Sequence, residues 1–349
     1  MNNNRFGLFL IMVALIVAAI WLIRSDQAPG PLPPRPTAPR VAGEGYVFCT
    51  WNVENLFDDT NDPHNHDEDE DWFAAHPEMV HEKVRLLADT LVRQNDGRGP
   101  DILAVVEVEN RRAIELLRAA LNARLPSEWR YEGLAHVDNV TGRRIEPAIV
   151  TRLALDDDQT RAFGIRRILE AHLEAEGAPL VVLASHWTSR LRGDTEGKRD
   201  SYADVLYDRV VELSRDDPAA DVLLSGDFND EPDDPSLRRH LHTTGDPAEV
   251  REGAQPVKLL DLTQRLDPAR EGTYFQAGRW EILDHIVASP GLLDPKGWMV
   301  LPETIHTENP IELRFGRDRR PWRFGNPKNS NPRGPSDHFG LTVRMKVGP

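Results

Sequence analysis

Seven short runs rich in β-branched, aromatic and other apolar residues recur along the chain: Tyr46 to Trp51, Ile102 to Val106, Ala148 to Val150, Leu180 to Ala184, Val222 to Leu224, Ile282 to Ala288 and Phe339 to Val347. Each has the length of a strand rather than a helix, so much of the chain must pair into sheet. Apolar residues at helical intervals fall between or beside them: Val84, Leu87 and Leu91, then Ile114, Leu117 and Leu121, and later Tyr202, Val205 and Leu213 with Arg209. That spacing gives a helix one face to bury, so these segments are predicted to be helices laid on the sheet, and the fold class is α/β.

The first 44 residues do not share this pattern. Phe6 to Ile23 is an uncharged apolar run of 18 residues, close to the ~20 that cross a bilayer as a helix. No small-residue cleavage site follows at once, so an uncleaved single-pass anchor is predicted over residues 1–24. Residues 25–44 contain the proline-dominated stretch Pro29 to Pro39, an extended spacer, and a folded domain is predicted over 45–349. Arg5 precedes the run while Arg24, Arg35 and Arg40 follow it, so positive charge does not decide orientation. Short amino-terminal tails commonly stay inside, which favours a domain on the extracytoplasmic or periplasmic side.

The chain carries 42 basic and 57 acidic residues, a formal charge of −15, which excludes a protein that coats polyanions over its whole surface. Any nucleic-acid contact must be local. A single cysteine, Cys49, cannot form an intramolecular disulfide and reads as a small buried hydrophobe. No feature points to a protein partner.

Polar residues sit where the predicted strands end. Asn52, Glu107, His186, Asp227 with Asn229, and Asp284 fall at or just beyond a strand, and Asp337 and His338 immediately precede the last one. Gathered at one sheet edge, they supply the groups that bind a hard, oxygen-liganded cation and hydrolyse a phosphate ester. With no cysteine among them, the cation they suit is Mg²⁺ or Mn²⁺. Taken singly, an aspartate at a strand end is most often a turn or cap residue; their joint occurrence carries the reading.

The segments TWNVENLF (Thr50 to Phe57), AVVEVEN (Ala104 to Asn110), SGDFND (Ser225 to Asp230), ILDHIVAS (Ile282 to Ser289) and SDHFG (Ser336 to Gly340) resemble, in this order, the motifs of the endonuclease/exonuclease/phosphatase superfamily. IEPAIV (Ile145 to Val150) and the SHW that contains His186 are similar to its pancreatic-type deoxyribonuclease branch. The resemblance implies a four-layer sandwich of two packed mixed β-sheets flanked by helices. It implies that Glu107, with Asn52 and Asp337 close by, ligates the metal. It also implies that Asp227 orients and deprotonates the attacking water and that Asn229 hydrogen-bonds the phosphate. His338 held by Asp284, and His186 held by Glu146, would flank the phosphate as two imidazole–carboxylate pairs. Glu109 remains a possible substitute for Glu107, because strand alternation turns both to the same side. Asp101, after Pro100 and just before a strand, suits a structural cap and a site role equally and is left out of the site, and His172 and His285 read as core or surface residues.

Two biased segments remain. Asp58 to Asp71 (DDTNDPHNHDEDED) lacks the glycine and terminal glutamate of a calcium loop and is expected to be a solvated acidic loop. Arg314 to Arg333 holds six arginines and one lysine against one aspartate, interleaved with Phe315, Trp322 and Phe324. Arginine meets phosphate and aromatic faces stack on bases, so Arg317, Arg319, Arg320 and Arg323 are candidates for binding a nucleic-acid strand. A loop merely pinned by its aromatics weighs equally. The expectation is therefore a divalent-metal-dependent phosphodiester hydrolase, foremost a nuclease on DNA or RNA. The alternatives are a hydrolase of small phosphoesters or lipid headgroups, and a catalytically silent binding module using the same cleft.

Overall fold

The computed structural model describes residues 45–62, 67–138, 143–164, 167–190, 195–253, 255–325 and 333–348. The expected anchor and linker lie outside them, and among the described residues no helix is long and apolar enough to cross a membrane.

Six strands form the first sheet: β1 (Tyr46–Leu56), β2 (Ile102–Val108), β3 (Gly133–His136), β4 (Glu146–Thr151), β14 (Trp298–Glu308) and β17 (Gly340–Val347), in the order β14-β17-β1-β2-β4-β3. The second has β5 (Ala154–Phe163), β6 (Ile168–Ala175), β7 (Ala178–His186), β8 (Val222–Asp227), β9 (Thr243–Thr244), β10 (Leu259–Asp261) and β13 (Asp284–Ala288), in the order β5-β6-β7-β8-β13-β10-β9. Both sheets are mixed. β1 runs parallel to β2 and antiparallel to β17, and β7 runs parallel to β8, which runs antiparallel to β13. Two small hairpins complete the strands: β11 (Tyr274–Gln276) with β12 (Arg279–Glu281), and β15 (Arg314–Phe315) with β16 (Arg320–Pro321).

Strand alternation explains the layering. In β1, Tyr46 and Phe48 point to the space between the sheets, where they meet Ile102, Val182, Leu223 and Leu341. Cys49, Trp51 and Val53 point the other way, against helices α2 (Pro77–Leu91) and α3 (Arg111–Asn122), which follow the short α1 (Glu68–Ala75). On the far side, Leu183 and Leu224 pack on Leu206 and Val210 of α4 (Glu196–Asp216). Helices, sheet, sheet and helix make the expected α/β sandwich. Each such side chain, fully buried, contributes about 1.5–3 kcal/mol, so the middle of the molecule is held by the two sheets themselves.

α2 and α3 bury the predicted faces, Val84, Leu87 and Leu91 on one and Ile114, Leu117 and Leu121 on the other. α4 departs from expectation. Its buried face is Ala203, Leu206 and Val210 with Arg199, while Val205 is exposed. Of the predicted face, Tyr202 and Leu213 are only partly buried, and Arg209 turns inward to donate two hydrogen bonds of 2.7 Å to the buried Glu170 of β6. β5, β6 and β14 had no strand signal; β5 is a largely exposed edge strand built from ALDDDQTRAF, without an apolar period to read.

Candidate active site

One close approach brings the strand ends together. Gly226 has φ +131°, and a Cβ there would lie 1.9 Å from the carbonyl oxygen of Ser185. Without a side chain, β7 and β8 stay in register to their last pair, His186 beside Asp227, and β8 pairs with β13 so that Asp227 also faces Asp284. From the other sheet, β1 delivers Asn52 and β2 delivers Glu107. Ser336 Oγ donates to the carbonyl of Asn52 at 2.6 Å and Trp51 Nε1 donates to that of His338 at 2.9 Å, tying the segment before β17 to β1.

Asn52 is the hub. Its Nδ2 donates to Glu107 Oε1 at 3.2 Å and to Asp227 Oδ2 at 3.0 Å, bridging the sheets. Glu107 has φ +69°, where the β1–β2 and β2–β4 registers shift, so its carboxylate leaves strand alternation and lines the cleft. There its Oε2 accepts the Asn55 amide at 2.8 Å. Glu109, the possible substitute, instead accepts the Asp58 amide and is buried. Asp101 accepts the Val47 amide and meets Arg152, so of its two readings it takes the structural one.

His338 Nδ1 hydrogen-bonds Asp284 Oδ2 at 2.8 Å, and its Nε2 lies 3.8 Å from Asp227 Oδ2. Burial opposes a charge on this ring, but Asp284 and Asp227 outweigh it and hold the imidazole well above its ordinary value. Burial pushes the Asp227 carboxyl up to about 7, with Asp284 adding to the push and His338 and Asn52 drawing it back. Asn229, at φ +54°, gives its amide N–H to Asp227 Oδ1 and one side-chain N–H to the carbonyl of Trp187, leaving its second N–H for a ligand.

The second expected pair is not made. His186 Nδ1 is buried without a hydrogen-bond partner, and the carboxylate near its Nε2 is Glu107 at 3.6 Å rather than Glu146. Glu146 opens β4 opposite Val108, just where the register slips, and the bulge that carries Glu107 outward puts it beside His186. Burial holds His186 down at about 3, with Arg167 and His338 acting in the same direction, so this ring is neutral near pH 7. A neutral imidazole donates one hydrogen bond but supplies no charge.

Asn52, Glu107 and Asp337 all line one open cleft of ≈ 340 Å³ together with His186, Asp227, Asn229 and His338. Oxygen donors on partly exposed carboxylates suit Mg²⁺ or Mn²⁺, which keep water ligands beside one or two such groups. Asp227, Asp284 and His338 also form a cluster, their ligand-type atoms all within 4.8 Å of one another. The 2.8 Å bond inside it makes this an acid–imidazole–acid chain rather than an oxygen cage.

Of the four candidate arginines, Arg323 lines the cleft, donating to Glu54 Oε1 at 2.9 Å and lying 3.3 Å from Asp337 Oδ2. Arg317, Arg319 and Arg320 are exposed on the β15–β16 hairpin. Of the aromatics, Phe324 is buried against Phe73 and Lys83, as a pinned loop requires, while Phe315 remains 47% exposed. Residues 326–332 of this segment lie outside the described residues. The acidic segment differs from a solvated loop: Asp67 and Asp69 bind Arg143 and Asp62 binds Arg144, while 63–66 are not described.

Sequence reasoning missed Glu54, Arg143, Arg167, Arg190 and Tyr274, all of which line the cleft. Glu54 stands inside a recognised motif; the others come from loops and a two-strand hairpin, without a pattern that marks them.

A sequence model described as the endonuclease/exonuclease/phosphatase family matches residues 47–347. No curated protein matches in sequence. Among solved structures, a truncated Caenorhabditis elegans TDP2 is similar with a TM-score of 0.55 and 17% identity, over 88% of this chain and 99% of that one. A D. rerio TDP2 complexed with a single-strand DNA product gives 0.52 and 14%, over 87% and 100%. A double mutant of the Staphylococcus aureus beta toxin with bound magnesium ions gives 0.51 and 13%, over 86% and 99%. At these identities the likeness is one of fold.

Proposed function

The chain belongs to the endonuclease/exonuclease/phosphatase family, and from that premise we propose that it is a divalent-metal-dependent phosphodiester hydrolase whose substrate is DNA or RNA. The observation that carries this is the meeting of Glu107, Asn52, Asp227, Asn229 and the His338–Asp284 pair in one solvent-open cleft.

In this reading Glu107 would hold Mg²⁺ or Mn²⁺ with Asp337 and Asn52 close by, and the ion would supply positive charge to the phosphoryl oxygens. Asp227 takes the proton of the attacking water; a carboxyl held at about 7 is matched to that task. The free N–H of Asn229 and the Nε2–H of His338 donate to the phosphate, and Asp284 keeps His338 in its donating, charged form. His186 donates from the opposite wall as a neutral ring, and Arg323 supplies positive charge at the rim. Support for a nucleic-acid substrate comes from the arginines of the hairpin beside the cleft and from the DNA product in the similar D. rerio structure. The apolar run before the domain supports an enzyme tethered at a membrane surface, its domain outside the cytoplasm.

The test is incubation of the full chain with plasmid, single-stranded DNA, RNA and a panel of phosphomonoesters, in Mg²⁺ and in Mn²⁺. Cleavage of polynucleotide that stops with chelator is expected. Hydrolysis of phosphomonoesters alone would replace this reading with a phosphatase, and binding without turnover would replace it with a silent module.

A further inference from the structure

Beside the catalytic cleft lies a second hollow of ≈ 320 Å³, within the ~300–1,000 Å³ of small-molecule sites. It is continuous with the cleft, because Tyr274, Arg323 and Asp337 line both. Its remaining wall comes from the β15–β16 hairpin and the residues after it. Phe315 and Trp322 stack with ring centroids 5.7 Å apart and planes 23° apart, and the guanidinium of Arg320 lies 5.7 Å from the Phe315 centroid. Phe275 of β11 closes the other side.

This hollow is built, not incidental. Glu54 anchors its base by accepting hydrogen bonds from Arg323 Nε and from the amides of Phe324 and Gly325. Gly334 returns the chain against it so closely that a Cβ there would lie 1.7 Å from the carbonyl oxygen of Trp322. Yet the fold leaves apolar surface uncovered here. Among the described residues, two of the three exposed large hydrophobic side chains are Phe315, which lines the hollow, and Ile311, in the turn just before the hairpin. Flat aromatic walls, a guanidinium over one of them and Arg323 turned toward the phosphate cleft describe a slot for a flat ring attached to a phosphate.

We propose that the hollow formed by Tyr274, Phe275, Phe315 and Trp322 is a nucleobase subsite, which receives the base of the nucleotide on one side of the scissile phosphate while Arg323 faces that phosphate. The proposal deepens the functional reading above and rests on it. The aromatic faces grip any base by stacking, so the subsite serves to place the bond to be cut and selects sequence weakly.

Bond-by-bond cleavage of a short single strand of DNA by the full chain tests this, against versions in which one position at a time is abasic. Removing the base on one side of a given bond, and not the other, is expected to slow cleavage of that bond about tenfold or more, the usual scale of one base–aromatic stack. Phe315→Ala and Trp322→Ala should draw the ratio of intact to abasic rates toward one, and Trp322→Phe should preserve it. Because the ratio is read first on the parent protein, variants that fail to fold leave the test intact. Equal cleavage of intact and abasic strands overturns the subsite while leaving the hydrolase reading standing. If DNA and RNA are untouched but phosphatidylcholine or sphingomyelin vesicles lose headgroups, the aromatic rim faces lipid and the subsite is overturned. If no phosphodiester of any kind is hydrolysed, the functional reading fails and the subsite falls with it.

Discussion

Asp227 and Glu54 show how differently two buried carboxylates are used. Asp227 is surrounded by a histidine, an amide and a second carboxylate, and in the proposed mechanism it is the base. Asp227→Asn should keep the hydrogen bonds that hold the substrate while removing the base. Turnover is expected to fall about a hundredfold or more with little change in KM, and a variant within about threefold of the parent would refute the role. Glu54 is a structural acceptor. Burial and Asp337 push its carboxyl up, while Lys83 and Arg323 draw it back, and it caps backbone amides. Glu54→Ala leaves those amides without their acceptor, so amide hydrogen exchange at Phe324 and Gly325 is expected to speed up while exchange in α2 is unchanged. Unchanged protection at both amides would show that the segment is held by Phe324 packing alone.

At the scale of elements, a buried charged junction joins β6 to α4. Glu170, 1% exposed, accepts from Arg209 twice at 2.7 Å and meets His172 at 2.8 Å. Burial would raise its pKa, but His172 and Arg209 outweigh that and hold the carboxyl at about 2. A pKa depressed in the folded state favours folding above the unfolded value near ~4.3, and the benefit is lost as pH falls through the folded value. With the carboxyl held at about 2, that benefit is on the order of 3 kcal/mol. Urea unfolding of the parent and of Glu170→Gln should therefore differ by a constant amount above pH ~5, and the gap should narrow toward pH ~2. A gap independent of pH across that range would mean that the pair is worth only its packing.

For the molecule as a whole, a formal charge of −15 makes polynucleotide binding depend on wherever positive charge is concentrated. Arg317, Arg319 and Arg320 project from a hairpin that adjoins the cleft but do not line it. Replacing Arg317 and Arg319 by glutamine is expected to weaken binding of long strands and to flatten its dependence on salt, by close to one unit of log–log slope for each phosphate that is no longer neutralised. An unchanged slope would assign these arginines to solvation of the hairpin. Excess chelator should abolish hydrolysis of every substrate, with Mg²⁺ or Mn²⁺ restoring it, and full activity of metal-stripped protein would remove the metal from the mechanism.

Strand runs and helical periods were enough to read an α/β chain, because burial imposes those periods whatever the neighbours are, whereas the sandwich of two packed sheets came from the family resemblance of the motifs. Polar residues at strand ends placed Asn52, Glu107, His186, Asp227, Asn229, Asp284, Asp337 and His338 in one group, and the structure brings these together at one end of the two sheets. What lay beyond the sequence depended on packing between distant segments. The edge strand β5 has no apolar period to read, and the partner of Arg209 on α4 is Glu170 from another element. Glu107 was preferred to Glu109 only through the family resemblance; the physical reason for it, and for its place beside His186 where Glu146 was expected, is a bulge and a positive φ that alternation cannot foresee. Glu54 looked like any polar residue in its motif until Arg323, Phe324 and Gly325 folded onto it from 269 to 271 residues away. Sequence period reports which face of an element is buried; only the tertiary structure decides which partner meets it there, because that partner is chosen by packing between segments the period does not connect.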